Sequence, residues 1–113
     1  MTTSRAARRA QANRIFDALG DGTRRAMIDL LADGPLSVSA LAQPLGVSLT
    51  AVSQHLQVLE ACGLLKTEKR GRVRLCEMDP NGLEVMDEWI SAHRQLWTRR
   101  FHLLDEILNE DKR

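Results

Sequence analysis

The hydrophobic positions of residues 48–65 predict an amphipathic helix that leads directly into a β-strand. Val52, Leu56 and Leu59 recur at intervals of four and three residues, which places them on one helical face. The segment begins with a serine that can cap a helix, and Gly63 favours the left-handed turn that ends one. The pattern therefore predicts a helix with one buried face and one polar face, followed by a strand.

Shorter apolar segments precede this helix. Large apolar side chains at helical spacing predict helices over about residues 13–19 and 23–33, and glycine-containing breaks at 20–22 and 34–35 end them. Residues 1–10 are basic and show no apolar periodicity, so we expect them to form a flexible arm. A single domain is then expected over residues 11–113.

The link between the third and fourth predicted helices indicates a helix-turn-helix. Ser37 or Ser39 can cap the third helix, which ends at Gly46. Only Gly46 and Val47 separate it from the next helix, and so short a turn makes two helices cross at a steep angle. We therefore predict a helix-turn-helix over about residues 37–62.

A β-hairpin follows and forms a predicted wing over about residues 64–78. Two extended segments, at 65–70 and 73–78, flank Gly71, which is typical of a tight hairpin turn. The tip carries three cations, namely Lys69, Arg70 and Arg72. A helix-turn-helix followed by such a hairpin predicts the winged helix-turn-helix fold, which is mainly α-helical with a small β-hairpin.

The last part of the chain predicts a long helix from Leu83 towards Glu110, within a dimerisation helix expected over about residues 81–110. Its apolar seam, with spacings of three and four, is Leu83, Met86, Ile90, His93, Trp97, Phe101, Leu104 and Leu108, widened by Trp89, Leu96 and Ile107. A domain of this size cannot cover so broad an apolar surface alone, so we predict that a second copy of the chain covers it. The predicted interface residues are Ile15, Phe16, Met86, Trp89, Ile90, His93, Trp97, Phe101 and Leu104. A core helix of a monomer is the alternative.

Composition is ordinary for a soluble single-domain protein. The 113 residues are 43% hydrophobic and 27% charged, no apolar run is long enough to cross a membrane, and the basic N-terminus lacks the apolar core of a secretory signal. We therefore expect a cytoplasmic protein with no membrane partner. Cys62 and Cys76 are too few for a disulfide framework and are expected to be reduced packing residues.

The formal net charge of +1 conceals an uneven distribution. Up to Cys76 there are eleven Lys and Arg residues against six Asp and Glu, whereas the remainder has five against nine. A nearly neutral protein can thus present a basic face to a polyanion and turn an acidic face away from it.

Four sequence motifs resemble the ArsR-type (ArsR/SmtB) winged helix-turn-helix repressors. They are DALGDGTRR at 17–25, LLADGP at 30–35, AVSQHLQVL at 51–59 and GLL at 63–65, and the resemblance extends over nearly the whole chain from about Asn13. The pattern of Trp89-Ile90, Trp97 and Arg100 further resembles a subgroup of small metal-independent autorepressors. The resemblance implies a homodimeric repressor that binds double-stranded DNA sequence-specifically at an inverted repeat, with the terminal helices forming the interface.

The predicted recognition helix and wing supply the candidate DNA contacts. On the helix these are Ser48, Thr50 and Ala51 near its start, where backbone N–H groups and hydroxyls would fix the register on phosphate, and Ser53, Gln54 and His55 as candidates for base edges. On the wing, Lys69, Arg70 and Arg72 would contact phosphate or a narrow minor groove. Arg5, Arg8 and Arg9 of the arm are weaker candidates for the same role.

Metal sensing, which is common in this family, is not expected in this chain. The family's thiolate site uses cysteines two apart before the recognition helix, and the matching positions are Ser37 and Ser39. On the terminal helix, His93 and His102 are nine residues apart and do not reproduce the family's other site. No cofactor is therefore predicted, and the sequence does not identify a small-molecule effector.

Other functions are consistent with parts of the sequence. A winged helix can bind a protein instead of DNA, but the polar helix face and the cationic wing favour DNA. A redox response of Cys62 or Cys76, or a metal response through His102 and Glu106, is a further alternative. No catalytic motif is present, so an enzyme is not predicted.

Overall fold

The computed structural model describes residues 4–111, which form five α-helices and three short β-strands. In chain order these are α1 (Arg5–Ala18), α2 (Gly22–Leu31), β1 (Leu36–Ser37), α3 (Val38–Leu45), α4 (Leu49–Ala61), β2 (Leu65–Arg70), β3 (Val73–Met78) and α5 (Pro80–Asp111). The order confirms the prediction of a mainly α-helical winged helix-turn-helix with a small β-hairpin.

Each of the first four helices begins at a capping side chain. Ser4, Asp21, Ser37 and Ser48 each accept a hydrogen bond from the backbone N–H three residues later. Ser37 rather than Ser39 therefore caps α3. These caps fix where α3 and α4 start, and with them the short turn between the two helices.

The predicted flexible arm is wrong for residues 5–10, which form the first turns of α1. Ser4 caps this helix, with its Oγ 3.1 Å from the backbone nitrogen of Ala7. Residues 6, 7, 10 and 12 are alanine, which has the highest helix propensity but adds little to an apolar pattern. For this reason the hydrophobic periodicity alone places the start of the helix too late. Residues 1–3 lie outside the described residues.

A third strand, absent from the predicted hairpin, ties the wing to the helix-turn-helix. β1 pairs antiparallel with β3, with Leu36 opposite Cys76 and Ser37 opposite Leu75, so the strand order is β1-β3-β2. A strand of two residues is too short to show alternation in the sequence. Because Ser37 also caps α3, one residue joins the sheet to the helix-turn-helix.

The core lies where α1 to α4 meet the base of the wing. As predicted, Val52, Leu56 and Leu59 of α4 are buried, together with Ala12, Ile15, Ala18, Met27, Leu31, Leu41, Cys62, Leu64, Leu65, Cys76 and Val85. The sequence predicts Ile15 at the dimer interface, and this is wrong because Ile15 is completely buried within its own chain. Phe16, half-buried beside it, is the residue of α1 whose ring packs against Trp89 of α5.

α5 begins against the domain and then extends beyond it. Val85 is buried, and the ring centroids of Phe16 and Trp89 are 4.8 Å apart. From residue 96 onwards, seven large apolar side chains are 43–59% exposed, namely Leu96, Trp97, Phe101, Leu103, Leu104, Ile107 and Leu108. The molecule is accordingly elongated, with extents of 71 × 37 × 21 Å. Within residues 4–111, no helix is both long enough and apolar enough to span a bilayer.

Candidate nucleic-acid interface

The N-terminal half of α4 presents polar side chains on the face opposite the core. Thr50, Ser53 and Gln54 are exposed as predicted, and Ala51 is half-buried beside them. Gln57 is exposed on the same side, although the sequence analysis does not include it. Gln57 is four residues after Ser53 and three after Gln54, and residues at these spacings are neighbours on a helix. This spacing could have predicted that Gln57 shares their face.

The start of α4 is held by Ser48. Its Oγ accepts the N–H of Ala51 at 3.1 Å, so the hydroxyl is already used as a cap. The hydroxyl proton is free to donate, and the first backbone N–H groups of the helix carry a partial positive charge. Both properties suit a phosphate oxygen at this end of the helix.

His55 lies at the flank of α4 rather than on its fully exposed face. Its side chain is half-buried, and its Nδ1 is 3.4 Å from Nη1 of Arg24 on α2. A guanidinium can only donate, so Nδ1 is the acceptor in this contact. His55 is thus tied on one side to α2.

Two arginines of α2 close the end of α1. Arg24 Nε donates to the carbonyl oxygen of Ala18 at 2.6 Å, and Arg25 Nη1 donates to that of Leu19 at 2.6 Å. The last carbonyls of a helix have no partner within the helix, so these bonds satisfy them. Asp21 caps α2 directly before, and the hydrogen bond from the backbone N–H of Arg24 lowers the pKa of its carboxyl group. The flank of the recognition helix is therefore held in place by charged side chains.

One face of the wing runs from the core to the cationic tip. Residues directly opposite in the antiparallel pair point to the same side, and Thr67 faces Cys76 while Lys69 faces Arg74. Cys76 is buried at the base of this face, Thr67 is half-buried, and Lys69 is exposed near the turn. Arg72 is exposed in the turn itself. Neither Lys69 nor Arg72 takes part in an ion pair within residues 4–111.

Arg70, the third predicted cation of the tip, lies on the other face of the hairpin. Strand alternation places it with Glu68, and its Nη2 is 3.4 Å from Oε2 of that residue. The same face carries Val73, which is exposed, opposite Arg70. Among the described residues, Lys69 and Arg72 are therefore exposed without an ion pair, whereas Arg70 is partly neutralised by Glu68.

A cleft of about 80 Å³ separates α4 from the wing. Thr67 Oγ1 donates to Oε1 of Glu60 at 2.9 Å and accepts from Nη2 and Nε of Arg74 at 3.0 and 3.3 Å. The other lining residues are Val38, Ser53, Leu56 and Gln57. Glu60, Thr67 and Arg74 were missed by the sequence analysis because they are widely spaced in the chain and form no motif.

The basic residues near the N-terminus face α5 rather than the recognition helix. Arg8 forms an ion pair with Glu88, and Arg5 and Arg9 line the same groove beside Trp89. The hydrogen bond with Glu88 raises the pKa of the Arg8 guanidinium. The weaker expectation that these cations act from a mobile arm is therefore wrong, because they belong to an ordered helix.

The other predicted interface residues lie on α1 and α5. Phe16, Met86 and His93 are half-buried, whereas Trp89, Ile90, Trp97, Phe101 and Leu104 are exposed. Along α5 the rings of Trp89 and His93 stack at 3.7 Å between centroids, and those of Trp97 and Phe101 are 5.9 Å apart. Arg100 lies 5.5 Å from the ring centroid of Trp97. An aromatic ladder thus continues from the domain onto the projecting half of α5.

Both cysteines are packing residues, as predicted. Cys62 and Cys76 are buried and unbonded to one another, and burial raises the pKa of each thiol. Among residues 4–111, no three His, Cys, Asp or Glu side chains converge in a group that could hold a metal ion.

Known proteins share both the sequence and the architecture. A family profile described as a helix-turn-helix domain matches residues 19–68. The HTH-type transcriptional regulator Rv2034 of Mycobacterium tuberculosis is 44% identical over 87 residues, which cover 77% of this chain and 78% of that protein. The solved ArsR family transcriptional regulator RHA00566 is 36% identical, with a TM-score of 0.73 over 87% of this chain and 97% of the other.

A further solved structure is the homodimeric winged helix-turn-helix DNA-binding domain Mb0332 of Mycobacterium bovis, a possible ArsR-family transcriptional regulator. It is 28% identical and has a TM-score of 0.65 over 85% of this chain and 91% of the other. The aligned proteins are transcriptional regulators and not enzymes, which agrees with a polar recognition helix beside a cationic wing. The chain belongs to the ArsR family of winged helix-turn-helix transcriptional regulators.

Proposed function

We propose that this protein is a homodimeric repressor that binds an inverted-repeat DNA operator, with one recognition helix in each half-site. The observation that carries the proposal is the exposed face of Ser53, Gln54 and Gln57, of which Ser53 and Gln57 line the cleft shared with Thr67 and Arg74 of the wing. The same wing carries Lys69 and Arg72, which form no ion pair within residues 4–111. Duplex DNA needs this combination, because base edges are read by hydrogen bonds and phosphates are neutralised by cations.

The contacts divide by chemistry. Gln54 and Gln57 can each form two hydrogen bonds with adenine in the major groove, and Ser53 can donate or accept. Ser48 and Thr50 contact phosphate at the start of α4, where the helix dipole favours anions. Lys69 and Arg72 contact the backbone beside the recognition helix. His55 and Arg70 are peripheral to this surface, and Ala51 provides close approach without a hydrogen bond.

Dimerisation through α5 supplies the second recognition helix. The exposed apolar seam from Trp89 to Leu108 is too extended to remain in water without a partner. A second copy is the favoured partner because Mb0332, which aligns with this chain over 85% of its length, is a homodimer. A twofold dimer places its reading helices about one helical turn, roughly 34 Å, apart on DNA, which requires an inverted repeat.

Repression follows from occupancy of the promoter. A dimer that fills two successive major grooves covers the DNA on which a polymerase has to assemble. The positions of the family's thiolate site are Ser37 and Ser39, and Ser37 Oγ is engaged in capping α3. Hydroxyls are poor ligands for the soft metals that thiolates bind. We therefore propose that release of the repressor from DNA is not triggered by a metal bound at these positions.

The proposal is tested by fluorescence anisotropy with the duplex upstream of the protein's own coding sequence and a scrambled duplex of equal length. The titration is repeated over a salt series, with and without Zn²⁺. Specific binding that weakens steeply with salt and is unaffected by Zn²⁺ is the expected result. Equal, weak binding to both duplexes would count against this operator, and a footprint on genomic fragments would then decide between another operator and a protein partner.

Base reading has its own test in the Gln54→Ala variant. Loss of the side-chain amide removes hydrogen bonds to particular base pairs, so preference there is expected to relax by roughly 1–3 kcal/mol. The measurement is anisotropy on operators with single base-pair changes. Gln43→Ala, which changes an exposed glutamine on α3, is the matched control. A uniform loss of affinity on every duplex would show that Gln54 does not read bases.

A further inference from the structure

The hydrogen bonds of Thr67 connect three elements across the cleft between α4 and the wing. A threonine hydroxyl has one proton and two lone pairs. Here the proton goes to Glu60 at the end of α4, and the oxygen accepts from Arg74 on β3. The hydrogen-bonding capacity of this hydroxyl is therefore used entirely between the recognition helix and the wing.

The wing has few other supports at this height. Its apolar base, Leu65 and Cys76, is buried, but every residue from Glu68 to Arg74 is exposed. β1 pairs with β3 at Cys76, directly opposite Thr67, and at Leu75, one position nearer the tip, but β2 is an edge strand of the described sheet and pairs with β3 alone. A two-stranded hairpin is marginally stable by itself in water, so its outer half depends on side-chain contacts for a defined position.

Thr67 lies at the boundary between the buried base and the exposed tip. Lys69, two residues further along β2, shares its face and is opposite Arg74. A support at Thr67 therefore sets the direction in which Lys69 leaves the domain. Arg74 is exposed but donates to the same hydroxyl, whose proton is directed to the carboxylate of Glu60.

We propose that Thr67 is a positioning residue that, through Glu60 and Arg74, holds the wing at a fixed angle to the recognition helix so that Lys69 reaches the DNA backbone while Gln54 reads bases. The proposal rests on the DNA-binding function proposed above. It assigns specificity-determining geometry to a side chain that does not itself contact DNA.

The test compares Thr67→Val, which keeps the shape but removes the hydroxyl, with Thr67→Ser, which keeps the hydroxyl. Affinity for the footprinted operator and its salt dependence are measured in both, and again in combination with Lys69→Ala. Thr67→Val is expected to weaken specific binding roughly threefold to tenfold. It is also expected to flatten the salt slope by about one phosphate contact. Thr67→Ser should behave as the wild type.

The combination with Lys69→Ala separates positioning from general destabilisation. If Thr67 acts through Lys69, the double variant Thr67→Val, Lys69→Ala should lose no more of the salt slope than Lys69→Ala alone, because both changes remove the same contact. Thermal melting of each variant verifies that it is folded. In the DNA-free protein, amide hydrogen exchange in β2 and β3 is expected to be faster in Thr67→Val than in Thr67→Ser.

The possible outcomes separate this inference from the proposed function. Wild-type protein that binds no operator would remove the proposed function and the inference together. Wild-type binding with unchanged affinity, salt slope and wing exchange in Thr67→Val would overturn the inference alone. Additive losses of slope in the double variant would also overturn it, since Thr67 and Lys69 would then act independently.

Discussion

At the scale of single residues, the recognition helix divides its side chains among three tasks. Val52 and its helical neighbours fill the core, Gln54 and Gln57 face outwards, and His55 contacts α2 through Arg24. Consecutive residues can serve different tasks because each is rotated by about 100° from the last. A change at one of these positions should therefore have a distinct signature in stability or in binding.

The wing cation Arg72 is expected to contribute affinity without sequence preference. Arg72→Ala should weaken binding to specific and scrambled duplexes alike and reduce the salt slope by about 0.9, the value for one phosphate contact. Anisotropy titrations between low and moderate salt measure both quantities. Arg70→Ala is the control, because Arg70 is already paired with Glu68 and should change the slope less. An unchanged slope in Arg72→Ala would exclude a phosphate contact.

The buried thiols are expected to be unreactive in the native protein. Burial raises the pKa of Cys62 and Cys76, so both are protonated at pH 8, and an aromatic disulfide reagent should react quickly only after unfolding. The pKa of each thiol is higher in the folded protein than the unfolded value of about 8.5, so burial of the protonated thiols contributes to stability. This contribution is complete below about pH 8.5 and is lost as the pH rises through the folded pKa.

Denaturant titrations at neutral and alkaline pH measure this loss as a fall in the free energy of unfolding. The double variant Cys62→Ala, Cys76→Ala is the control, because it has no thiol to titrate. Rapid labelling of the native protein near neutral pH would contradict the expectation and favour a redox response of one of the thiols.

At the scale of elements, the junction between α4 and α5 is made by backbone against backbone. A Cβ added to Gly82 would lie 2.2 Å from the carbonyl oxygen of Gly63 and 3.0 Å from Cα of Leu64. Gly63 itself has φ +86° and its Cβ would meet the side-chain nitrogen of Gln11 at 2.6 Å. The backbone N–H of Asp79 donates to the carbonyl of Leu64 at 2.8 Å. These contacts fix the start of α5 on the exit of the recognition helix.

Gly82→Ala is therefore expected to destabilise the fold by about 1–3 kcal/mol, because backbone atoms cannot move aside as a flexible side chain can. Gly22→Ala is the matched control, since it lies in the first turn of α2 and its Cβ would meet only Arg25 at 3.7 Å. Better helix propensity should make that variant neutral or slightly more stable. Chemical denaturation measures both, and equal stability of the two variants would contradict the close approach.

The elements that the sequence predicted well are those with both periodicity and a cap. α4 has three apolar residues on one face, a serine before it and a glycine after it, and its position follows from these local signals. The start of α1 was missed because alanines form a helix without an apolar pattern. The cleft of Glu60, Thr67 and Arg74 could not be predicted, since it depends on how a helix end meets a hairpin in three dimensions.

At the scale of the whole molecule, the length of 71 Å results from a helix that continues past its own domain. The aromatic ladder of Trp89, Trp97 and Phe101 runs along it. Trp89 packs against Phe16 of α1, whereas Trp97 and Phe101 are 51% and 59% exposed. Seam position and composition were predictable, because apolar side chains recur at helical spacing. Helical spacing did not predict which apolar side chains a domain buries within itself. For this reason Ile15 of α1 was wrongly assigned to the dimer interface.

Trp97→Ala is expected to weaken the proposed dimer. Large aromatic side chains near the centre of an interface commonly contribute about 2 kcal/mol or more, which corresponds to a roughly 30-fold rise in the dimer dissociation constant. Sedimentation equilibrium measures it. Leu49→Ala, which removes an exposed apolar side chain on α4, is the control and should leave the association unchanged. Equal association of both variants would place the interface elsewhere.

The contact of Gly63 with Gly82 affects how the DNA specificity of such a regulator can evolve. In the proposed dimer, the spacing between half-sites depends on how two α5 helices cross, and the rigid glycine joint transmits that spacing to α4 without adjustable side chains. In the proposed complex, base preference depends instead on the exposed side chains of Gln54 and Gln57, which lie outside this joint. The two properties can therefore evolve separately, so that a descendant can acquire a new operator sequence while it keeps the old spacing.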